Sequence, residues 1–346
     1  MNQRLLMSLG VALLLTCPLA AGQHVLKAGK DAVSIAKTSD KPYVVPKTPD
    51  GQPDLQGYWT NNTYTPLERP ANVTKEFYTP EEALAAAKRS AEREASQIDS
   101  TPGTVNDVHY DFTQFGLDKS QTVLNSNLRT SMITDPLDGR IPPVTEEGKK
   151  RAAAKAAQRP PQSATYDMVQ NIVIGSRCIY QGAGPPMLPP GYNPGYQIIQ
   201  GENYVMILIE AGHETRIIPL DGRPHPPKTV RQWLGDSRGH WDGNTLVVET
   251  TNFNDRVNFR GASENLKVIE RFTRTSDDAI RYQFTIDDPS TWEKTWSAEL
   301  PFTKMDGPIF EHACHEGNYG IANTLAGVRA QEKRAAEAAA GKKGAQ

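Results

Sequence analysis

Five Asp-Gly pairs, at 50–51, 138–139, 221–222, 242–243 and 306–307, punctuate this chain between short runs of β-branched and aromatic residues. Asp-Gly readily supplies the positive φ that tight hairpins need, so it marks places where an extended chain reverses. The runs read as strands at Asp54–Asn61, within Tyr166–Tyr180, at Tyr196–Gln200, Tyr204–Pro219, Leu246–Thr251, Asn265–Arg274, Ala279–Asp287 and Trp296–Thr303. In Asn265–Arg274 and Ala279–Asp287 apolar and polar residues alternate, the period of a half-buried strand. Strands at this density without strand–helix–strand alternation predict antiparallel sheet, as a closed barrel, a sandwich or a small propeller.

Helices are expected in three places. Thr79-Pro80-Glu81-Glu82 has a capping Thr, Pro at the first helical position and Glu at the third, and it opens an Ala-, Lys- and Glu-rich stretch to about Ile98. A second helix starts near Thr145 and is stopped by Pro160 and Pro161. A third occupies the tail from about Thr324. All three have weak apolar faces and belong on the surface. The segment Pro136-Leu137-Asp138-Gly139-Arg140 recurs as Pro219-Leu220-Asp221-Gly222-Arg223. Two similar hairpin ends explain it.

On the first strand, Gly57-Tyr58-Trp59 resembles the G-x-W feature that opens lipocalin-like barrels. This favours a mainly β, lipocalin- or calycin-like antiparallel barrel with a helical insertion at about 79–160 and a C-terminal helix. A sandwich or small propeller is the alternative. The expected organisation is a signal segment at 1–22, a flexible leader at 23–50, one β-rich domain at 51–323 and a helical tail at 324–346.

Arg4, the apolar Leu5–Leu15 and the small residues Ala20-Ala21-Gly22 have the pattern of a secretory signal. Its apolar run is half of what a membrane span needs, and no later stretch is longer, so no span is expected in the mature chain. A periplasmic or secreted location follows. Outside the signal stand two cysteines, Cys178 and Cys314. In an oxidising compartment they most simply pair, closing a loop of 136 residues (314 minus 178). The alternative is a nucleophilic Cys314 beside His315.

A formal net charge of -2, from 38 Lys+Arg against 40 Asp+Glu, gives no electrostatic case for nucleic-acid binding. The chain lacks the phosphate-cradling, dinucleotide-binding and H-E-x-x-H motifs, and His312-Ala313-Cys314-His315 is not a c-type haem site. Neither cofactor nor metal is expected: His213, His225, His240, His312 and His315 have no zinc-like spacing.

Chemistry is expected where polar groups interrupt strand patterns. Glu210, His213 and Arg216 follow the apolar Val205–Ile209; on a regular strand Glu210 and Arg216 share a face, and Gly212 would re-aim His213. Residues 231–242 concentrate Arg231, Trp233, Asp236, Ser237, Arg238, His240, Trp241 and Asp242. Aromatic walls with cations and a carboxylate suit a pocket for a polar aromatic or sugar-like ligand. The third concentration is His312, His315 and Glu316 beside Cys314. The expected base is His213 or His315, the acid Glu210, Asp236 or Glu316, and the anion clamp Arg177, Arg216 or Arg231. Trp233, Arg238, His240 and Trp241 complete the substrate contacts. A structural role, as hairpin ends and loop braces, is the competing reading for each.

The segments Thr48–Gly57, Asp138–Pro143, Arg231–Trp241 and Ala313–Asn318 together resemble a family of secreted bacterial proteins found in acidobacteria and proteobacteria, with a C-terminal Ala-Cys-His-Glu-Gly-Asn motif. The resemblance spans roughly residues 45–335. It implies export and carries no reaction. The expected function is therefore an exported non-redox enzyme, a lyase, hydrolase or isomerase, acting by acid/base chemistry on a small aromatic or glycosidic compound in a barrel pocket. A non-catalytic periplasmic carrier of a hydrophobic small molecule is the main alternative. An envelope interaction protein using its helices is the third.

Overall fold

The computed structural model describes residues 43–86, 88–89, 127–158, 167–190, 193–254, 256 and 259–343. The signal segment and most of the leader lie outside these residues. Period-two alternation becomes strands throughout: β1 Gly57–Thr60, β2 Ile133–Asp135, β3 Gly195–Gly201, β4 Tyr204–Ile209, β5 Glu214–Pro219, β6 Asp236–Asp242, β7 Thr245–Thr251, β8 Lys267–Ser276, β9 Ala279–Asp287 and β10 Trp296–Lys304. They pair antiparallel in the order β5-β4-β3-β1-β10-β9-β8-β7-β6, with β2 added beside β10. Leaving out β2, neighbours in the sheet are neighbours in the chain. The path is an up-and-down meander in which β10 returns to β1, a nearly closed nine-stranded barrel of lipocalin-like form.

The one seam lies between β5 and β6. There Arg216 of β5 reaches the Ser237 hydroxyl of β6 at 3.3 Å. Gly239 makes the close approach possible: a Cβ on it would meet Ile218 Cγ2 and Leu220 Cδ2, both at 2.8 Å.

The interior is filled. Trp59, Tyr196, Phe272, Tyr282, Phe284, Trp296 and Phe302 are all essentially without solvent exposure. Their rings meet at tilted or edge-on angles, Tyr196 and Phe272 packing at 5.1 Å and 4.9 Å against Phe302 and Tyr282 respectively. Each such burial contributes on the order of 2–3 kcal/mol. Trp59 donates its indole N–H to the Leu55 carbonyl (2.9 Å), and the Arg274 guanidinium lies 5.7 Å from its ring centre. Residues 43–50 of the expected leader are seated on hairpin tips, Tyr43 donating to Asp277 at 2.9 Å and Lys47 to Asn244 at 3.3 Å.

Thr79 and Glu82 form the expected reciprocal cap: Glu82 N donates to Thr79 Oγ1 and Thr79 N to Glu82 Oε2. Helix follows at residues 80–86 and 88–89; the continuation to Ile98 lies outside the described residues. Thr145 caps α1 (Glu146–Ala157) by accepting from Gly148 N, and α2 (Tyr319–Lys343) begins five residues before its expected start. The insertion is not wholly helical, because β2 lies within it.

Three local readings are corrected. The segment within 166–180 carries no strand among its described residues; a 3-10 turn at Val169–Asn171 and successive tight turns occupy it. Tyr204–Pro219 is a hairpin rather than one bulged strand, because Gly212 (φ 77°) and His213 (φ 57°) both turn left-handed. Residues 236–242, read as part of a pocket loop, form β6. All five Asp-Gly glycines have positive φ, yet only 242–243 closes a two-residue hairpin, with Asp242 paired to Thr245. The repeated Pro-Leu-Asp-Gly-Arg segments share one turn, Asp138 and Asp221 accepting from the amides of Arg140 and Arg223. Neither joins paired strands.

Candidate functional site

Inside the barrel the polar groups form one connected network. Arg216 binds Glu270 through both nitrogens, Nη1 to Oε1 at 3.1 Å and Nη2 to Oε2 at 2.6 Å. Tyr282 donates its hydroxyl to the same Glu270 at 2.7 Å and accepts from the Met187 amide at 2.9 Å. Asn61 then donates to the Met187 carbonyl and to the Tyr196 hydroxyl. Burial and the neighbouring Glu270 carboxylate both push the Tyr282 phenol well above its ordinary range. Met187 is fully buried, and the stretch Ala183–Met187 is buried throughout, so this strap is packed into the core that the strands enclose. Arg216 is thus a brace of the lumen.

Beside the strap, Cys178 and Cys314 are joined in a disulfide. The bond leaves no Cys314 thiolate, which removes the nucleophile alternative. It draws together the two histidine-bearing segments: Gly212 N donates to His312 Nδ1 at 2.7 Å, and Gln181 spans from Glu214 to Cys314 Sγ. The imidazole at the contact is His312; His213 and His315 are exposed, as is Glu316. Glu210 accepts from the amides of Gly195 (3.1 Å) and Phe310 (3.2 Å) and from Asn193, the pattern of a carboxylate that satisfies loop backbone. Arg177 is half-buried in the turns before Cys178. Glu214 opens β5 with no sequence signal to mark it. Burial lifts its carboxyl to about 7, with the Gln181 amide opposing, and its Oε2 is buried without a partner among the described residues.

The 231–242 concentration divides. Trp233 stacks on Tyr180 at 6.1 Å, and Trp241 packs on the core. Arg231 clamps two loops, donating to the Phe253 and Glu264 carbonyls and pairing with the Glu264 carboxylate at 2.9 Å. His240 is exposed on β6. The aromatic walls expected around these cations are therefore spent on packing.

Asp236 and Arg238 have a different surrounding. Asp236 opens β6 with a side chain only 8% exposed. Its Oδ1 is held by Arg238 Nη1 at 2.8 Å, and its Oδ2 lies 2.5 Å from Nδ1 of His225. The other ring nitrogen of His225, Nε2, stands 3.4 Å from Glu249 Oε1 on β7. Glu249 in turn faces Lys267 (3.9 Å), which pairs with Asp287 at 3.4 Å. An imidazole is thus fixed between a buried carboxylate and a half-exposed one on the outer wall of the barrel. The two carboxylates take opposite ring nitrogens and share no common point. Among the described residues no cluster of His, Cys, Asp and Glu is arranged to hold a metal ion. The loop carrying His225 is fastened by Asn252, which donates to the Pro226 carbonyl at 3.0 Å.

Next to this pair lies an open groove of about 420 Å³ lined by Lys228, Asn252, Glu264, Asn265, Lys267 and Asp287, among others. It reaches Lys267, one ion pair away from Glu249 and two contacts from His225. Amide, hydroxyl and charged groups line it together with Leu266 and Pro289, no aromatic ring does, and more of the lining surface is apolar than polar. In the sequence His225 belongs only to the set of histidines without zinc-like spacing. Its signal was the run Arg223-Pro224-His225-Pro226-Pro227, a histidine held in a stiff, proline-bounded loop.

The chain matches no protein-family model, no curated protein and no solved structure.

Proposed function

We propose that this protein is an exported non-redox enzyme working by acid/base chemistry, with His225 as the base and the groove beside it as the substrate site. The observation that carries this reading is the 2.5 Å contact of His225 Nδ1 with Asp236, itself locked by Arg238. A buried carboxylate accepting from Nδ1 keeps the proton there and presents Nε2 as the acceptor. Glu249, 3.4 Å from Nε2 and half-exposed, is close enough to receive the second N–H when the ring takes a proton. The ring can then return it to the leaving or rearranged product.

The reading moves the expected base from His213 or His315 to His225 and keeps Asp236 as its orienting acid. The filled lumen weighs against a carrier that would enclose a hydrophobic molecule. The disulfide supports an oxidising compartment, periplasmic or outside the cell, in keeping with the secreted bacterial family that the sequence resembles.

The test is to incubate the protein with a bacterial metabolite extract and follow which compounds disappear, comparing wild type with His225→Gln and Asp236→Asn. Both variants should remain folded by circular dichroism and lose at least a hundredfold in turnover. Full turnover in folded His225→Gln rejects the assignment.

A further inference from the structure

Three of the four charged residues lining the groove are already neutralised. Glu264 is paired with Arg231 at 2.9 Å, and Lys267 with Asp287 at 3.4 Å and Glu249 at 3.9 Å. The fourth, Lys228, has no partner among the described residues and is exposed at the groove's lip. Its position relative to His225 is set by the chain, because only Pro226 and Pro227 separate the two. Proline fixes φ near -65°, and a stiff extended spacer of this kind advances about 3 Å per residue, which puts the two residues roughly 9 Å apart. The Asn252 amide, by donating to the carbonyls of Pro226 (3.0 Å) and Pro227 (3.4 Å), holds that spacer against the end of β7. A cation on the groove's lining and a held imidazole just outside that lining therefore stand at a set separation.

We infer that the groove takes a small hydroxylated molecule bearing one carboxylate, with Lys228 binding the carboxylate and Thr251 and Asn265 meeting the hydroxyls. The inference rests on the reading of His225 as the base of the same groove. It replaces the aromatic ligand with a sugar-acid type, because the lining offers no ring to stack on, while Thr251, Asn252, Asn265 and Ser290 supply amides and hydroxyls and Leu266 and Pro289 supply apolar contact for ring carbons. A monocarboxylate fits better than a phosphate. Lys228 is a single point charge without the paired donors of an arginine, so it matches one negative charge better than two. Neutralising a carboxylate beside a base is also what proton removal from the adjacent carbon requires.

The experiment is calorimetric titration of the full chain at low ionic strength with D-galacturonate, D-galactose and inorganic phosphate. Galacturonate is expected to bind at least tenfold more tightly than galactose or phosphate, and rising salt should weaken it. Lys228→Ala should erase that preference, and Lys228→Arg should keep most of it. Equal or absent binding of the two sugars, a preference for phosphate, or an unchanged preference in folded Lys228→Ala each overturns the inference. Binding by Lys228 variants and turnover by His225 variants are separate readouts, so a failed ligand class is not mistaken for a failed base.

Discussion

Arg216 on β5 and Glu270 on β8 meet inside the barrel as a two-pronged ion pair, both side chains essentially sealed from solvent. The strands they sit on are not neighbours, so the pair ties the seam side of the barrel to its middle. The Tyr282 hydroxyl adds a third contact to Glu270, and the Ser237 and Thr250 hydroxyls approach Arg216.

Breaking one partner strands the other charge in a dry interior. Arg216→Ala or Glu270→Gln should each cost about 3–5 kcal/mol in urea unfolding. Replacing both by apolar residues of similar volume, Arg216→Met with Glu270→Leu, should recover most of that loss. Single variants as stable as wild type would show that the pair is solvated in solution.

Glu214 makes stability depend on pH near neutrality. Its carboxyl is raised by burial to about 7, so the folded state prefers the protonated form. The stabilisation is fully present below the unfolded value near 4.5 and is lost as pH rises through about 7. Allowing for its partial exposure, the change amounts to about 2 kcal/mol. Unfolding midpoints of wild type should fall between pH 5 and 8, and Glu214→Gln should flatten that slope. An unchanged slope in the variant removes Glu214 as its source.

Much of this architecture was legible in the residues. Ala279–Asp287 alternates so regularly that the strand matches its reading residue for residue, and the Thr79 cap and the helix start near Thr145 were legible in the side chains. What escaped was governed by tertiary contact. β6 looks like a loop because its interior positions are Ser237 and Gly239, small residues required by the tight approach of β5. Residues 166–180 look like a strand from their β-branched content, but the tie to Cys314 and the burial of Ile172 hold the described part, 167–180, as turns. The proposed site was half legible. Asp236 and Arg238 were among the sequence candidates, whereas His225 lies eleven residues away with no periodic signal, and only the fold brings it to Asp236.

The Cys178–Cys314 bond closes a loop of 136 residues in the unfolded chain. Cys178→Ser with Cys314→Ser should lower stability by about 2–5 kcal/mol, the range expected for loops of that size. Reductant should produce the same loss in wild type and leave the variant unaffected. Equal stability of the oxidised protein and the double variant would assign the strap's order to its packing alone.

The most direct test sets the two ends of the site reading against each other. Turnover of a metabolite extract is measured for His225→Gln and, in parallel, for the double variant His213→Ala with His315→Ala, all shown to be folded. Activity lost in the first and retained in the second is the expected result. Activity retained in His225→Gln and lost in the double variant would contradict it and return the chemistry to the histidine-bearing segments beside the disulfide.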